Sequence, residues 1–194
     1  MNKFIIFLDI SGVLKPRSDM VYTNINKYFE GTSAQKWLQT LETRTKDIMS
    51  TYTKNICSES MSVLQDIVSD IRKKGYTPEC VLISLTASAV PVPVWNKFFS
   101  YIPGESIVTR DALNVGKDRS GGYTLEESLR LTYKGTDIFE YLEENKDTVA
   151  DYIIIDDDCQ ILPENKHRYY KTTSDTGLVE NDIFEIKKLV TTKG

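Results

Sequence analysis

Hydrophobic positions along the chain fall into short continuous runs that alternate with stretches of three- and four-residue spacing. Phe4 to Leu8 is an uninterrupted apolar run, β-branched and aromatic, which suits a strand buried on both faces of a parallel sheet. Cys80 to Ile83 and Tyr152 to Ile155 repeat the pattern. Between them Met61, Leu64, Ile67, Val68 and Ile71 recur at helical intervals, and Arg72, Lys73 and Lys74 precede Gly75, so the spacing predicts a helix over 60–74. Another helix is expected over about 136–145, opened by Lys134, with Ile138, Tyr141 and Leu142 on one face and Asp137 near its amino end. A last one is expected over 179–190, where Ile183, Phe184, Ile186, Leu189 and Val190 are available for packing.

Pro91 and Pro93 break the chain before a short helix or turn over 94–101. Ile107 and Val108 make at most a brief strand, Tyr169 and Tyr170 suggest one more, and Ser174 to Gly177 reads as a turn. Strands alternating with helices imply crossover units, hence an α/β fold with a mainly parallel sheet flanked by helices.

Two segments interrupt this rhythm. Residues 15–57 carry a helical pattern around 34–49 (Trp37, Leu38, Leu41, Ile48, Met49) and read either as a small helical insertion over the sheet edge or as a crossover with an extra helix. Residues 110–133, with Gly116, Gly121 and Gly122, read as an irregular polar loop, of a length that is often functional and equally suits a mobile excursion. The length of 194 residues fits a single domain over 1–194, with 15–57 as a possible cap-like insertion.

Composition narrows the function classes. With 40% hydrophobic and 27% charged residues the chain is ordinary for a globular protein, and nothing suggests disorder. A net charge of -4 and a pI near 5.2 leave no strong basic nucleic-acid-binding signature. The modest basic clusters at 110–119 and 166–171 read first as solvated surface. Cys57, Cys80 and Cys159 are odd in number and lack CxxC spacing, so neither a disulfide framework nor structural zinc is indicated, and a reducing, cytoplasmic location is expected. No basic leader region precedes the first apolar run, and no run reaches membrane-spanning length. The single histidine, His167, removes most zinc sites and Ser-His or Cys-His machinery, leaving carboxylates and a lysine for any catalysis.

The chemistry lies at the strand ends. Three buried-type strands each finish on a polar group: Asp9, Ser84, and the cluster Asp156, Asp157 and Asp158. If the strands are neighbours, these groups converge on one small volume, at the edge where open α/β sheets take ligands. Adjacent carboxylates need a counter-charge, and Mg²⁺ suits a site of one or two carboxylates completed by water and substrate phosphate.

The stretches FLDISGVL, VLIS, YKGTDIFEYL and YIIIDDD, in that order and across most of the chain, resemble the haloacid dehalogenase (HAD) superfamily, whose fold is a Rossmann-like parallel sheet. The later TTSDTGLVENDI is similar to the HAD domains of Swiss Army Knife RNA repair proteins. The resemblance implies an Mg²⁺-dependent phosphomonoester hydrolase in which Asp9 is the nucleophile that forms an aspartyl-phosphate, Ser84 binds phosphoryl oxygens and Lys134 neutralises charge. Asp157, then Asp156, would ligate Mg²⁺ together with Asp9 and the main-chain carbonyl of Ser11.

At Ser11 the chain departs from that pattern, because phosphatases of the superfamily usually carry a second Asp two positions after the nucleophile as general acid and base. Such assistance is worth about 10²–10⁴-fold in rate. Its loss matters least for a phenolate leaving group, whose parent pKa is about 10. Phosphotyrosine or another aryl phosphate is therefore the favoured substrate, whereas the repair-like ending points to nucleic-acid 3′- or 5′-phosphate ends. Small molecules and phosphoproteins suit the acidic pI. A catalytically impaired domain that binds a phosphorylated ligand or partner is the alternative from another class. Dehalogenase or phosphonate chemistry, where the second acid is also absent, has no further motif to select it.

Overall fold

The computed structural model describes residues 2–17, 33–53, 56–84, 90–100, 109–112, 133–158 and 161–191. Five strands, β1 (Lys3–Leu8), β2 (Thr77–Leu82), β3 (Thr109–Ala112), β4 (Val149–Asp156) and β5 (Tyr169–Lys171), form one sheet in the order β3-β2-β1-β4-β5, with every neighbouring pair parallel. The described helices are α1 (Ser33–Leu38), α2 (Thr43–Thr53), α3 (Ser58–Lys73), α4 (Val92–Ser100), α5 (Tyr133–Glu144) and α6 (Asp182–Thr191), with a 3₁₀ turn at Pro163–Arg168.

The chain steps outward from β1 to β2 and β3, then returns across the sheet to β4 and β5, so the direction of winding reverses between β1 and β4. Alternate side chains of β1 explain the continuous apolar run. Phe4, Ile6 and Leu8 enter a core with Leu64, Ile67 and Ile71 of α3, Trp95 and Phe98 of α4, and Ile186 and Val190 of α6. Ile5 and Phe7 face the opposite way, against Ile138 and Tyr141 of α5, with the Phe7 and Tyr141 rings edge to face at 5.5 Å. The five apolar side chains of β1, Phe4 to Leu8, are wholly buried, each worth about 1.5–3 kcal/mol relative to exposure. That burial fixes β1 at the centre of the sheet, and with it the position of Asp9.

The structure departs from the sequence pattern at several points. The helix expected over 34–49 is two helices, because the Thr40 hydroxyl and main-chain N–H both donate to the Trp37 carbonyl (2.7 and 2.9 Å) and end α1 there. Residues 110–112 belong to β3 and not to a loop, since pairing with β2 sustains a strand that no apolar run announces; residues 107, 108 and 113–132 lie outside the described residues. The last helix starts at Asp182 and not at Val179, whose N–H is instead taken by the Asp182 carboxylate at 3.0 Å. Arg168, within the basic cluster expected on the surface, is 4% exposed, pairs with Asp151 at 2.9 Å and donates to the Leu189 carbonyl.

Part of the 15–57 segment joins the main core: Met49 is wholly buried in it, with Trp37, Leu38 and Leu41 packed alongside. Cys57 and Cys80 are buried free thiols, and burial pushes the Cys80 thiol up to about 12, so it stays protonated. Cys159 lies outside the described residues. No described helix is long and apolar enough to cross a membrane.

Candidate active site

The parallel register brings the strand ends together. Leu8 lies opposite Ile155 on one side and Leu82 on the other. One residue on, the Asp9 N–H donates to the Ile155 carbonyl at 3.0 Å and the Ile83 N–H to the Leu8 carbonyl at 3.0 Å. Asp9 therefore stands level with Asp156, the last residue of β4, on one side and with Ile83 on the other, one residue before buried Ser84. This is the carboxyl edge at the reversal of strand order, the crevice in which open parallel sheets take ligands.

Helix α5 delivers the cation. Ile138 and Tyr141 bury its inner face, and Lys134, four and seven residues before them, lies on that same face one turn nearer the sheet edge. Its ammonium donates to Asp9 Oδ2 at 2.9 Å and to Asp156 Oδ2 at 2.6 Å. The remaining oxygens are also held: Asp9 Oδ1 accepts the Ile10 N–H at 2.8 Å, and Asp156 Oδ1 accepts the Asp158 N–H at 2.8 Å. Asp157 pairs instead with Arg17, its Oδ2 3.0 Å from the guanidinium.

The turn after Asp9 is tight. Leu14 and Lys15 both donate to the Ile10 carbonyl (2.9 and 2.8 Å), and Gly12 donates to the Lys15 carbonyl at 2.7 Å. Gly12 has φ of 77°, and a Cβ there would fall 2.2 Å from Asp157 Oδ2. Only glycine lets the loop and the carboxylate share this space.

A downstream turn clamps the loop. The Thr172 hydroxyl donates to the Gly12 carbonyl at 2.8 Å and its N–H to the Asp156 carbonyl at 3.1 Å. Leu178 N–H donates to Val13 O and Arg17 N–H to Ser174 O, at 2.9 and 2.8 Å. Gly177, at φ of 65°, has room for no side chain, since a Cβ would stand 2.4 Å from the Val13 carbonyl. Sequence reasoning places a turn here but gives no sign that it supports the site. Arg17 escapes it too, because a single basic residue in a loop carries no signal.

Electrostatically the cluster is short of positive charge. Ligand oxygens of Asp9, Asp156 and Asp157 lie within 4.8 Å of one another, and all three residues are buried. Burial raises the Asp156 carboxyl above its ordinary range, with Asp9 adding to the rise and Lys134 opposing it. Burial likewise raises Asp157, against the pull of Arg17. For Lys134, burial disfavours the charge, yet Asp9 and Asp156 outweigh it and carry the ammonium up to about 12.

The raised carboxyls set a pH dependence. The folded chain binds these protons more tightly than the unfolded chain, so stability is gained as pH falls through the raised values and is complete near the ordinary 3.8. In chelator, thermal denaturation is expected to show the melting temperature rising from pH 7 towards pH 5, with a flatter slope in Asp157→Asn. A melting temperature that falls over that range, or an unchanged slope in the variant, would contradict this assignment.

The donor set fits a hard divalent cation. Asp9 and Asp157 supply carboxylate oxygens, and the Ser11 carbonyl accepts no hydrogen bond among the described residues, whereas those of Ile10, Gly12, Val13, Leu14 and Lys15 all do. Asp9 and Asp156 each have both oxygens already holding donors, whereas Asp157 is engaged at Oδ2 by Arg17. Of the residues singled out from sequence, Asp9, Lys134 and Asp156 form one hydrogen-bonded network, and a carboxylate oxygen of Asp157 lies within 4.8 Å of those of Asp9 and Asp156; Ser84 shares the edge and Ser11, half-buried, shares the loop. Comparison with known protein families, with curated proteins and with solved structures returns no match.

Proposed function

We propose that the chain is an Mg²⁺-dependent phosphomonoester hydrolase of the haloacid dehalogenase type, with a Rossmann-like fold, acting through an aspartyl-phosphate on Asp9. The observation that supports this reading is the grip of Lys134 on both Asp9 and Asp156 at the reversal of strand order. A carboxylate held from both oxygens in the ligand crevice is a positioned nucleophile. Asp9 attacks phosphorus, the bond to the leaving oxygen breaks, and water then releases phosphate from the aspartyl ester. Lys134 offsets charge on the attacking carboxylate and on the transferring group, and the Ser84 hydroxyl is the donor for phosphoryl oxygens. Asp9, Asp157 and the Ser11 carbonyl would hold Mg²⁺, which supplies charge neutralisation and in-line orientation when bound.

The substrate class follows from what cannot give a proton. Ser11 is no acid near neutrality, and Lys134, held up to about 12, keeps its protons there. A leaving group that needs little protonation is favoured, so aryl phosphates such as phosphotyrosine come first. The buried thiols Cys57 and Cys80 suit a reducing compartment such as the cytoplasm.

Rates on a phosphotyrosyl peptide, a mononucleotide, a 3′-phosphorylated oligonucleotide and a sugar phosphate, with Mg²⁺ and with chelator, test the reading. The aryl ester is expected to turn over fastest and only with Mg²⁺; equal rates in chelator would overturn it. Ser11 also favours a second reading, Mg²⁺-dependent binding of a phosphorylated ligand without turnover, which would give binding but no product on any of the four. In the active case, Ser11→Asp is expected to raise turnover of alkyl phosphates by about 10²-fold. A flat or lower rate would mean that another group already serves as acid.

A further inference from the structure

The guanidinium of Arg17 caps Asp157 from outside. The Arg17 side chain is 60% exposed while the Asp157 side chain beneath it is 4% exposed, with 3.0 Å between Nη2 and Oδ2. Asp157 is also the carboxylate of the cluster that Lys134 does not hold, whereas both oxygens of Asp9 and of Asp156 already hold donors. A cation arriving at Asp157 meets a carboxylate already paired. One carboxylate oxygen cannot serve a metal and a guanidinium at full strength, since two positive centres a few ångströms apart repel.

The main chain of Arg17 is tied to the fold while most of its side chain is exposed. Its N–H is bonded to the Ser174 carbonyl, and the adjoining loop is tied at Gly12 and Val13 to the downstream turn. The long side chain has its fixed pivot, the main chain, beside the site. Ligand oxygens of Asp157 and Asp9 lie within 4.8 Å of each other, so a phosphoryl group at Asp9 is within the reach of that pivot. A planar guanidinium suits phosphate oxygens as well as it suits a carboxylate.

We infer that Arg17 is a handover residue of this site, which pairs with Asp157 until a divalent cation takes that carboxylate and then binds the phosphate of the substrate. The inference rests on the phosphohydrolase reading and adds a specificity-determining residue to it. Its signature is a pair of effects with opposite signs. Removing the guanidinium frees Asp157 for the metal but deprives the phosphate of a partner.

Calorimetric titration of the full chain with Mg²⁺ alone, and then with inorganic phosphate at saturating Mg²⁺, tests it in wild type, Arg17→Gln and Arg17→Lys. Arg17→Gln is expected to bind Mg²⁺ roughly 2–5-fold more tightly, the range for an ion pair with one exposed partner, and phosphate on the order of 10-fold more weakly. Arg17→Lys should fall between the two proteins in both titrations. Unchanged or weaker Mg²⁺ binding by Arg17→Gln would overturn the inference, as would unchanged phosphate binding. Neither titration needs turnover, so failure here is separate from failure of the hydrolase reading, which the loss or survival of activity in Asp9→Asn decides.

Discussion

Asp9→Asn is expected to remove phosphomonoester hydrolysis, by on the order of 10⁴-fold or more, while leaving the fold intact. The factor is large because the substitution deletes the attacking atom and not an accessory to it; losses of about this size accompany removal of a nucleophile elsewhere. The fold should survive because the asparagine carbonyl can still accept the Ile10 N–H, and because the apolar side chains of β1 hold the strand without help from Asp9. Losing one of three crowded carboxylates also relieves repulsion, which offsets the lost pairing with Lys134. Circular dichroism, melting temperature and turnover of an aryl phosphate measure all parts together. A folded Asp9→Asn protein with undiminished turnover would sink the nucleophile assignment.

The second large effect is expected from Lys134→Met, which keeps much of the apolar stem and deletes the charge. At pH 7 it leaves Asp9 and Asp156 buried without their shared cation, a situation that costs roughly 3–5 kcal/mol in buried pairs. With the Lys134 side chain 19% exposed, the lower end applies. The sign with pH is definite. Because folding raises the lysine from 10.5 to about 12, its contribution is full below about 10.5 and is lost as pH rises through about 12. The variant should therefore be destabilised at neutral pH, recover part of the loss as pH falls and Asp156 takes up a proton, and recover part at pH 7 on addition of Mg²⁺. Equal melting temperatures for the variant and wild type at pH 7 would show that the lysine is not holding these carboxylates.

Much of the architecture is legible in the sequence because it depends on local pattern. The run from Phe4 to Leu8 announces a strand buried on both faces, and its side chains in fact alternate between two cores. Asp9, Ser84 and Asp156 can be placed at strand ends from such runs alone, and parallel register then makes Asp9 and Asp156 neighbours, with Ser84 at the same edge. What local pattern does not carry is any feature created by pairing at a distance. Strand β3 has a polar sequence and exists through β2; Arg168 looks like part of a surface cluster until Asp151 meets it. Gly12 reads as a turn glycine, yet its stronger constraint is the Asp157 carboxylate, which belongs to a strand end more than a hundred residues downstream. Arg17 belongs to the same class: only the fold reveals what it faces.

The turn over 172–178 makes the site depend on a segment that carries none of its acids. Thr172 reaches back 160 residues to Gly12, and the carbonyl of Leu178 accepts the hydroxyl of Ser60 across a separation of 118. These closures cost little more than the one that already sets Asp9 beside Asp156, because loop-closure entropy grows only slowly with length. Strands β1 and β4 alone would set Asp9 and Asp156 side by side but lack the fastening that shapes the loop between Asp9 and Arg17. The scaffold and the chemistry thus rest on different stretches of the chain, and a sheet without this turn would carry the acids without the geometry to use them.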